Sequence, residues 1–112
     1  MIRKVLIADR GEVAIRLLSE FAGAGVKTVV VYTQEDCDSE YVRIADEAIC
    51  IGKTLMSYYS DWQRIITAAE ITDVDAIHPG DGPLSSHERF AEVCTEIGIQ
   101  LIGRSAEQGG ST

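Results

Sequence analysis

Two short segments carry the side chains best suited to chemistry: Asp9-Arg10-Gly11-Glu12 and His78-Pro79-Gly80-Asp81-Gly82-Pro83. Arg10 offers a planar fork of donors that matches a phosphate or a carboxylate. Gly11 lets a backbone approach closely, because it has no Cβ. Asp9 and Glu12 have the spacing of a capping box, which gives this segment a structural reading beside the binding one. His78 closes an apolar stretch, as a core-edge histidine satisfied by a neighbour or as a ligand or domain contact. Asp81, flanked by Gly80 and Gly82, suits a turn; it could also accept from a base or orient a partner residue.

Other candidates are weaker. Arg16 falls outside the apolar set of its helix, so it reads as a solvated arginine or a subunit contact. His87 reads as a solvated residue early in a helix, and Trp62 as packing at a helix start. Tyr58 and Tyr59 could cover a sheet edge or meet another domain. Asp46 and Glu47 read as a solvated acidic pair. Cys37 has no base at a defined spacing, so it is not assigned as a nucleophile. The two histidines are isolated, and no metal site is expected. No catalytic residue is assigned. There is no GxGxxG after the first strand and no GxxxxGKS/T, so neither a dinucleotide fingerprint nor a P-loop is supported.

The elements around these segments alternate. Val5–Ala8 reads as a buried parallel strand. Val13, Leu17, Leu18 and Phe21 follow at helical spacing, and Gly25 sits at the turn out of that helix. Thr28–Tyr32 is a second strand. A short helix is expected near Ser39–Ile44 and a third strand over Ala48–Ile51. Ser60 and Gln63 repeat the capping-box spacing ahead of a stripe of Trp62, Ile65, Ile66 and Ala69. Ala76 and Ile77 form a fourth strand that runs into the Gly- and Pro-rich segment. Ser85 and Glu88 give a third box, before a helix lined by Phe90, Ala91, Cys94 and Ile97. Gln100–Ile102 is a fifth strand.

Such alternation predicts an α/β fold: an open, mostly parallel, doubly wound Rossmann-like sheet with helices on both faces. Ligands in these sheets bind beyond the carboxyl ends of the strands, at the switch point. Both chemical segments belong on that edge, and together they would form the lip of a cleft.

The 112 residues suffice for one domain with an ordinary core. Ten Lys and Arg against 18 Asp and Glu give a formal charge of -8. That argues against an extended nucleic-acid surface, though not against a local anion site on backbone N–H groups. Three cysteines without a CxxC point to a reducing compartment, the cytoplasm or an organellar matrix if a targeting segment was removed. No apolar window is long enough to insert in a membrane. Residues 104–112 carry no periodicity and read as a tail or a truncated linker.

At the level of words and spacing, the chain resembles the biotin carboxylase family. KVLIADRGEVAIR, Lys4 to Arg16, is similar to the family opening K-I-L/V-I-A-N-R-G-E-I-A-x-R. ADEAICIG (Ala45 to Gly52), FAE (Phe90 to Glu92) and GIQLIGRSAE (Gly98 to Glu107) match further family segments. AIHPGDGPLSS (Ala76 to Ser86) resembles A-I/V-H-P-G-Y-G-F-L-S-E-N. There are departures: Asp9 stands for Asn, Asp81 for Tyr, Pro83 for Phe, and Ser86-His87 for Glu-Asn. They remove two aromatic contacts and a carboxylate from the loop.

The resemblance implies that residues 1–103 are the N-terminal, cleft-forming domain of a biotin-dependent carboxylase such as acetyl-CoA, propionyl-CoA or pyruvate carboxylase. The full module of that family uses ATP, Mg and bicarbonate to carboxylate biotin. Its ATP-grasp and C-terminal domains hold the catalysts, and a biotinylated carrier domain delivers the substrate. Arg10, Gly11, Glu12, His78, Gly80 and Gly82 match the family pattern and would shape the cleft facing the ATP-grasp domain. Arg16 matches a family arginine at the subunit interface of dimeric bacterial forms, so a homodimer is among the implied assemblies. By itself the chain is expected to need no cofactor and to be inactive. The other reading is a stand-alone module that binds a partner or a small anion without catalysis.

Overall fold

The computed structural model describes residues 1–103, with Tyr59 described by its backbone alone. The strands are β1 (Lys4–Ile7), β2 (Lys27–Thr33), β3 (Glu47–Gly52), β4 (Ala76–His78) and β5 (Gln100–Leu101). They pair in the order β3-β2-β1-β4-β5, every pairing parallel. The helices are α1 (Gly11–Gly23), α2 (Glu40–Ile44), α3 (Ser57–Ser60), α4 (Trp62–Ile71) and α5 (Glu88–Glu96). The expected doubly wound architecture is therefore present. The expected tail, 104–112, lies outside the described residues.

Alternation along β1 builds two cores. Leu6 and Ala8 face one side with Ile65, Ile66 and Ala69 of α4 and Phe90 and Cys94 of α5. Ile7 faces the other with Ala14, Leu17 and Leu18 of α1 and Tyr41 of α2. A strand covered on both faces needs apolar residues at successive positions, which is why VLI reads as an unbroken run. Among the described residues, no helix is long and apolar enough to cross a membrane.

The chain runs outward from β1 to β2 and β3, then returns to β4 on the other flank of β1. The switch point lies between β1 and β4, and Ile7 sits beside His78 at its carboxyl end. The ladder extends one step past the strand, with the Ala8 N–H donating to the His78 carbonyl at 2.9 Å.

None of the three expected capping boxes forms. Helix α1 is capped at Arg10, α4 at Asp61 and α5 at His87, and neither of the first two makes a side-chain cap bond. Asp9 instead serves a tertiary contact described below. Ser60 Oγ donates back to the Met56 carbonyl, and Ser85 Oγ to that of Gly82. These hydroxyls satisfy local carbonyls, a competition that short polar side chains often win. Ile97, expected on the buried stripe of α5, is its C-cap and is exposed.

Asp46 is not a merely solvated acid. Its carboxylate accepts from both the backbone N–H and the hydroxyl of Thr28, at 2.8 and 3.2 Å, and ties the entry of β3 to β2. Its neighbour Glu47 pairs with Lys4.

Candidate functional site

The two chemical segments meet at the switch point. Asp9, the residue after Ala8, accepts from two backbone donors on different loops. Oδ1 takes the Arg10 N–H and Oδ2 the Asp81 N–H, each at 2.7 Å. Gly80 makes this approach possible. It has φ +64, and a Cβ there would overlap the Asp9 carboxylate. Gly82 lies near the same carboxylate, and the Gly82 N–H donates to the Pro79 carbonyl. Gly11 also adopts a left-handed φ of +63, but open space surrounds it.

Between the loops lies a cleft of about 170 Å³, lined by Ala8, Asp9, Arg10, Leu55, Tyr58 and Pro83. Ala8, Leu55, Tyr58 and Pro83 make most of this lining apolar, and Asp9 and Arg10 are its charged members. Glu12, expected beside Arg10, is exposed on the first turn of α1.

Arg10 meets a carboxylate of its own chain. Its Nε and Nη2 donate to the two oxygens of Asp36, at 2.7 and 2.9 Å. Asp36 is buried in the turn after β2 and also accepts from the Tyr41 hydroxyl at 2.8 Å. The bond from Arg10 holds the Asp36 carboxyl below its ordinary range, against the desolvation that burial imposes. The same bond pushes the Arg10 pKa up. Burial pushes the Tyr41 phenol up as well. Tyr58, on the cleft wall, is buried and donates to the Val31 carbonyl at 3.0 Å. Burial raises its pKa to about 12. Tyr58 is thus a core post at the sheet end. The side chain of Tyr59 lies outside the described residues.

The histidines occupy the two ends of the second loop. His78 Nδ1 accepts from the Gly80 N–H at 3.0 Å, and the ring meets Phe21 edge-on. His87, expected as a solvated helix residue, is the N-cap of α5. Its Nδ1 accepts from the Phe90 N–H at 3.0 Å, and its ring lies over Trp62 at 5.2 Å. Arg16 is exposed on α1 and lies 3.9 Å from Glu20. Cys37 is exposed and Cys94 buried.

Among the described residues, no group of three or more His, Cys, Asp and Glu could hold a metal ion. The guanidinium at the lip is engaged by Asp36.

Comparison with known proteins decides the family. Residues 1–108 match the family described as biotin carboxylase, N-terminal domain. Biotin carboxylase 1 of Bacillus subtilis (strain 168) is 44% identical over 108 residues, covering 96% of this chain and 24% of that protein. The chain belongs to the biotin carboxylase N-terminal domain family.

Solved structures agree. A biotin carboxylase complex with beta-gamma-ATP from Campylobacter jejuni superposes with a TM-score of 0.87 at 43% identity, over 92% of this chain and 23% of that one. The biotin carboxylase domain dimer of Hydrogenobacter thermophilus 2-oxoglutarate carboxylase, in complex with MgADP, ADP and bicarbonate, gives 0.86 at 40% identity, with the same coverage. The chain thus spans about a quarter of the length of the relatives it matches.

Within this family domain, the sequence reading missed three residues of the lip. Asp36 and Tyr41 lay in a stretch without clear periodicity, and only tertiary contact pairs them with Arg10. His87 is rarely counted among N-cap residues, which are usually Ser, Thr, Asp or Asn.

Proposed function

We propose that this chain forms the N-terminal wall of the active-site cleft in a biotin-dependent carboxylase, whose full module uses ATP and bicarbonate to carboxylate biotin. The observation that carries the reading is the bond from the Asp81 N–H to Asp9. It draws the loops after β1 and β4 into one lip at the switch point of a domain of this family. In this reading Arg10, Gly11, Glu12, His78, Gly80, Asp81 and Gly82 shape the lip and the surface that meets the next domain.

ATP, Mg, bicarbonate and biotin belong to the whole module, with catalysts supplied by ATP-grasp and C-terminal domains and biotin brought by a carrier domain. Such chemistry needs phosphate, metal and a reactive intermediate to be held away from water. This chain contributes walls and spacing to that task. Arg16, exposed on α1, is assigned to a homodimer contact. The compartment is the cytoplasm or an organellar matrix, in keeping with three free cysteines.

The test is complementation. The 112-residue chain is mixed with Bacillus subtilis biotin carboxylase 1 lacking its own N-terminal domain, and ATP cleavage is followed with bicarbonate and free biotin. The chain alone gives none, and the mixture gives cleavage that depends on both. Biotin-dependent turnover by the chain alone would contradict the proposal, as would association without turnover.

A further inference from the structure

Both histidines of this chain act as hydrogen-bond acceptors at opposite ends of one segment. His78 Nδ1 takes the Gly80 N–H where the lip leaves β4. His87 Nδ1 takes the Phe90 N–H where the segment enters α5. An imidazole nitrogen accepts only while it carries no proton; the imidazolium donates from both nitrogens. Each bond therefore exists only with a neutral ring. A hydroxyl or amide cap has no such condition, because it does not titrate near neutrality.

The surroundings of the rings are specific. His87 lies over Trp62 at 5.2 Å and 53°, and Trp62 meets Phe90 edge-on at 6.1 Å. Glu88 and Arg89 follow His87 directly in α5, and Asp61 precedes its ring partner Trp62 at the head of α4. Arg89 is already shared between Glu92 and Glu96, at 3.0 and 3.6 Å. Around His78 stand Phe21 of α1, the backbone of Gly103 and Ile7 of β1, and the ring has a further interaction beyond these.

We propose that residues 78–90 form a proton-operated latch, in which neutral His78 and His87 hold the two ends of the lip and their protonation releases it. Acidification frees the Gly80 and Phe90 N–H groups and loosens the first turn of α5. The Asp36 carboxylate, held below its ordinary range, stays ionised over the interval in which histidine titrates, so the rest of the lip remains anchored. The latch is a property of this chain and holds whether or not the chain works in a carboxylase.

Amide exchange by nitrogen-15 NMR tests this on the 112-residue chain between about pH 8 and about pH 5. Ring resonances of His87 and emission from Trp62, the single tryptophan, are followed in parallel. Protection of the Phe90 N–H, corrected for intrinsic exchange, falls about fivefold as His87 protonates, and Trp62 emission changes with the same midpoint. His87→Asn supplies an ordinary cap, folds, and keeps its Phe90 protection across the range. The latch is overturned by Phe90 protection that holds steady while His87 titrates. It is equally overturned by a His87→Asn chain that loses protection as the parent does, or by a His87 ring still neutral at about pH 5.

Discussion

Asp9 and Asp81, 72 positions apart, are joined by one bond from the Asp81 N–H to the Asp9 carboxylate, 2.7 Å long. The other oxygen of Asp9 takes the Arg10 N–H at the same distance. Two donors converge on one side chain, and only a carboxylate can accept at both ends. Asparagine turns an N–H₂ toward one of them. Asp9→Asn should therefore destabilise the chain by about 1 kcal/mol and speed exchange at the Asp81 or the Arg10 amide. Urea unfolding with amide exchange checks this; unchanged exchange at both amides would remove the clasp from the account.

Gly80 and Gly11 share a left-handed φ but differ in surroundings. Gly11→Ala meets only the backbone penalty, about 1 kcal/mol. Gly80→Ala also drives a Cβ into the Asp9 carboxylate and should cost about 2 kcal/mol or more. Thermal unfolding of the two variants side by side reads the difference, and equal losses would mean the lip relaxes freely around Asp9.

Asp36→Asn leaves Arg10 and Tyr41 without their anion. Asp36 is buried while the Arg10 side chain is about half exposed, so the loss is set at about 2 kcal/mol, below that for a fully buried pair. The pH dependence has a definite sign. The folded carboxyl titrates below its ordinary 3.8, so its stabilisation is complete above that value and is lost as pH falls through the folded pKa. The variant's stability curve should be flatter in acid. A variant with the parent's acid slope would show that Asp36 is not the group responsible.

Tyr58→Phe removes the hydroxyl bonded to the Val31 carbonyl and should cost about 1 kcal/mol. The folded phenol is raised from 10.0 to about 12, so the parent loses stability as pH climbs between those values. Part of that alkaline loss should be absent in the variant, as followed by chemical denaturation across this range.

The architecture was legible because buried parallel strands and amphipathic helices leave different periods in the sequence. VLI and TVVVY could only be covered on both faces, and all of their residues but the half-buried Tyr32 are buried. The loops that form the lip were legible from their glycines and their place after strands. Their fastenings were not. Asp9 has the spacing of a helix cap, yet a tertiary donor on the Gly-rich loop and the neighbouring Arg10 N–H take its oxygens. Asp46 looked solvated until Thr28 was brought against it by the pairing of β2 with β3. Asp36 became the partner of Arg10 only when β2 was laid beside β1. Each of these bonds depends on strand order, which local patterns do not encode.

Whether this lip serves a carboxylase cleft is decided by a graft. Residues 1–103 replace their counterpart in Bacillus subtilis biotin carboxylase 1, and bicarbonate-dependent ATP cleavage is measured with free biotin. Cleavage by the graft should require both bicarbonate and biotin and should fall when Gly80→Ala disturbs the lip. A folded graft that binds ATP but shows no such cleavage would contradict it.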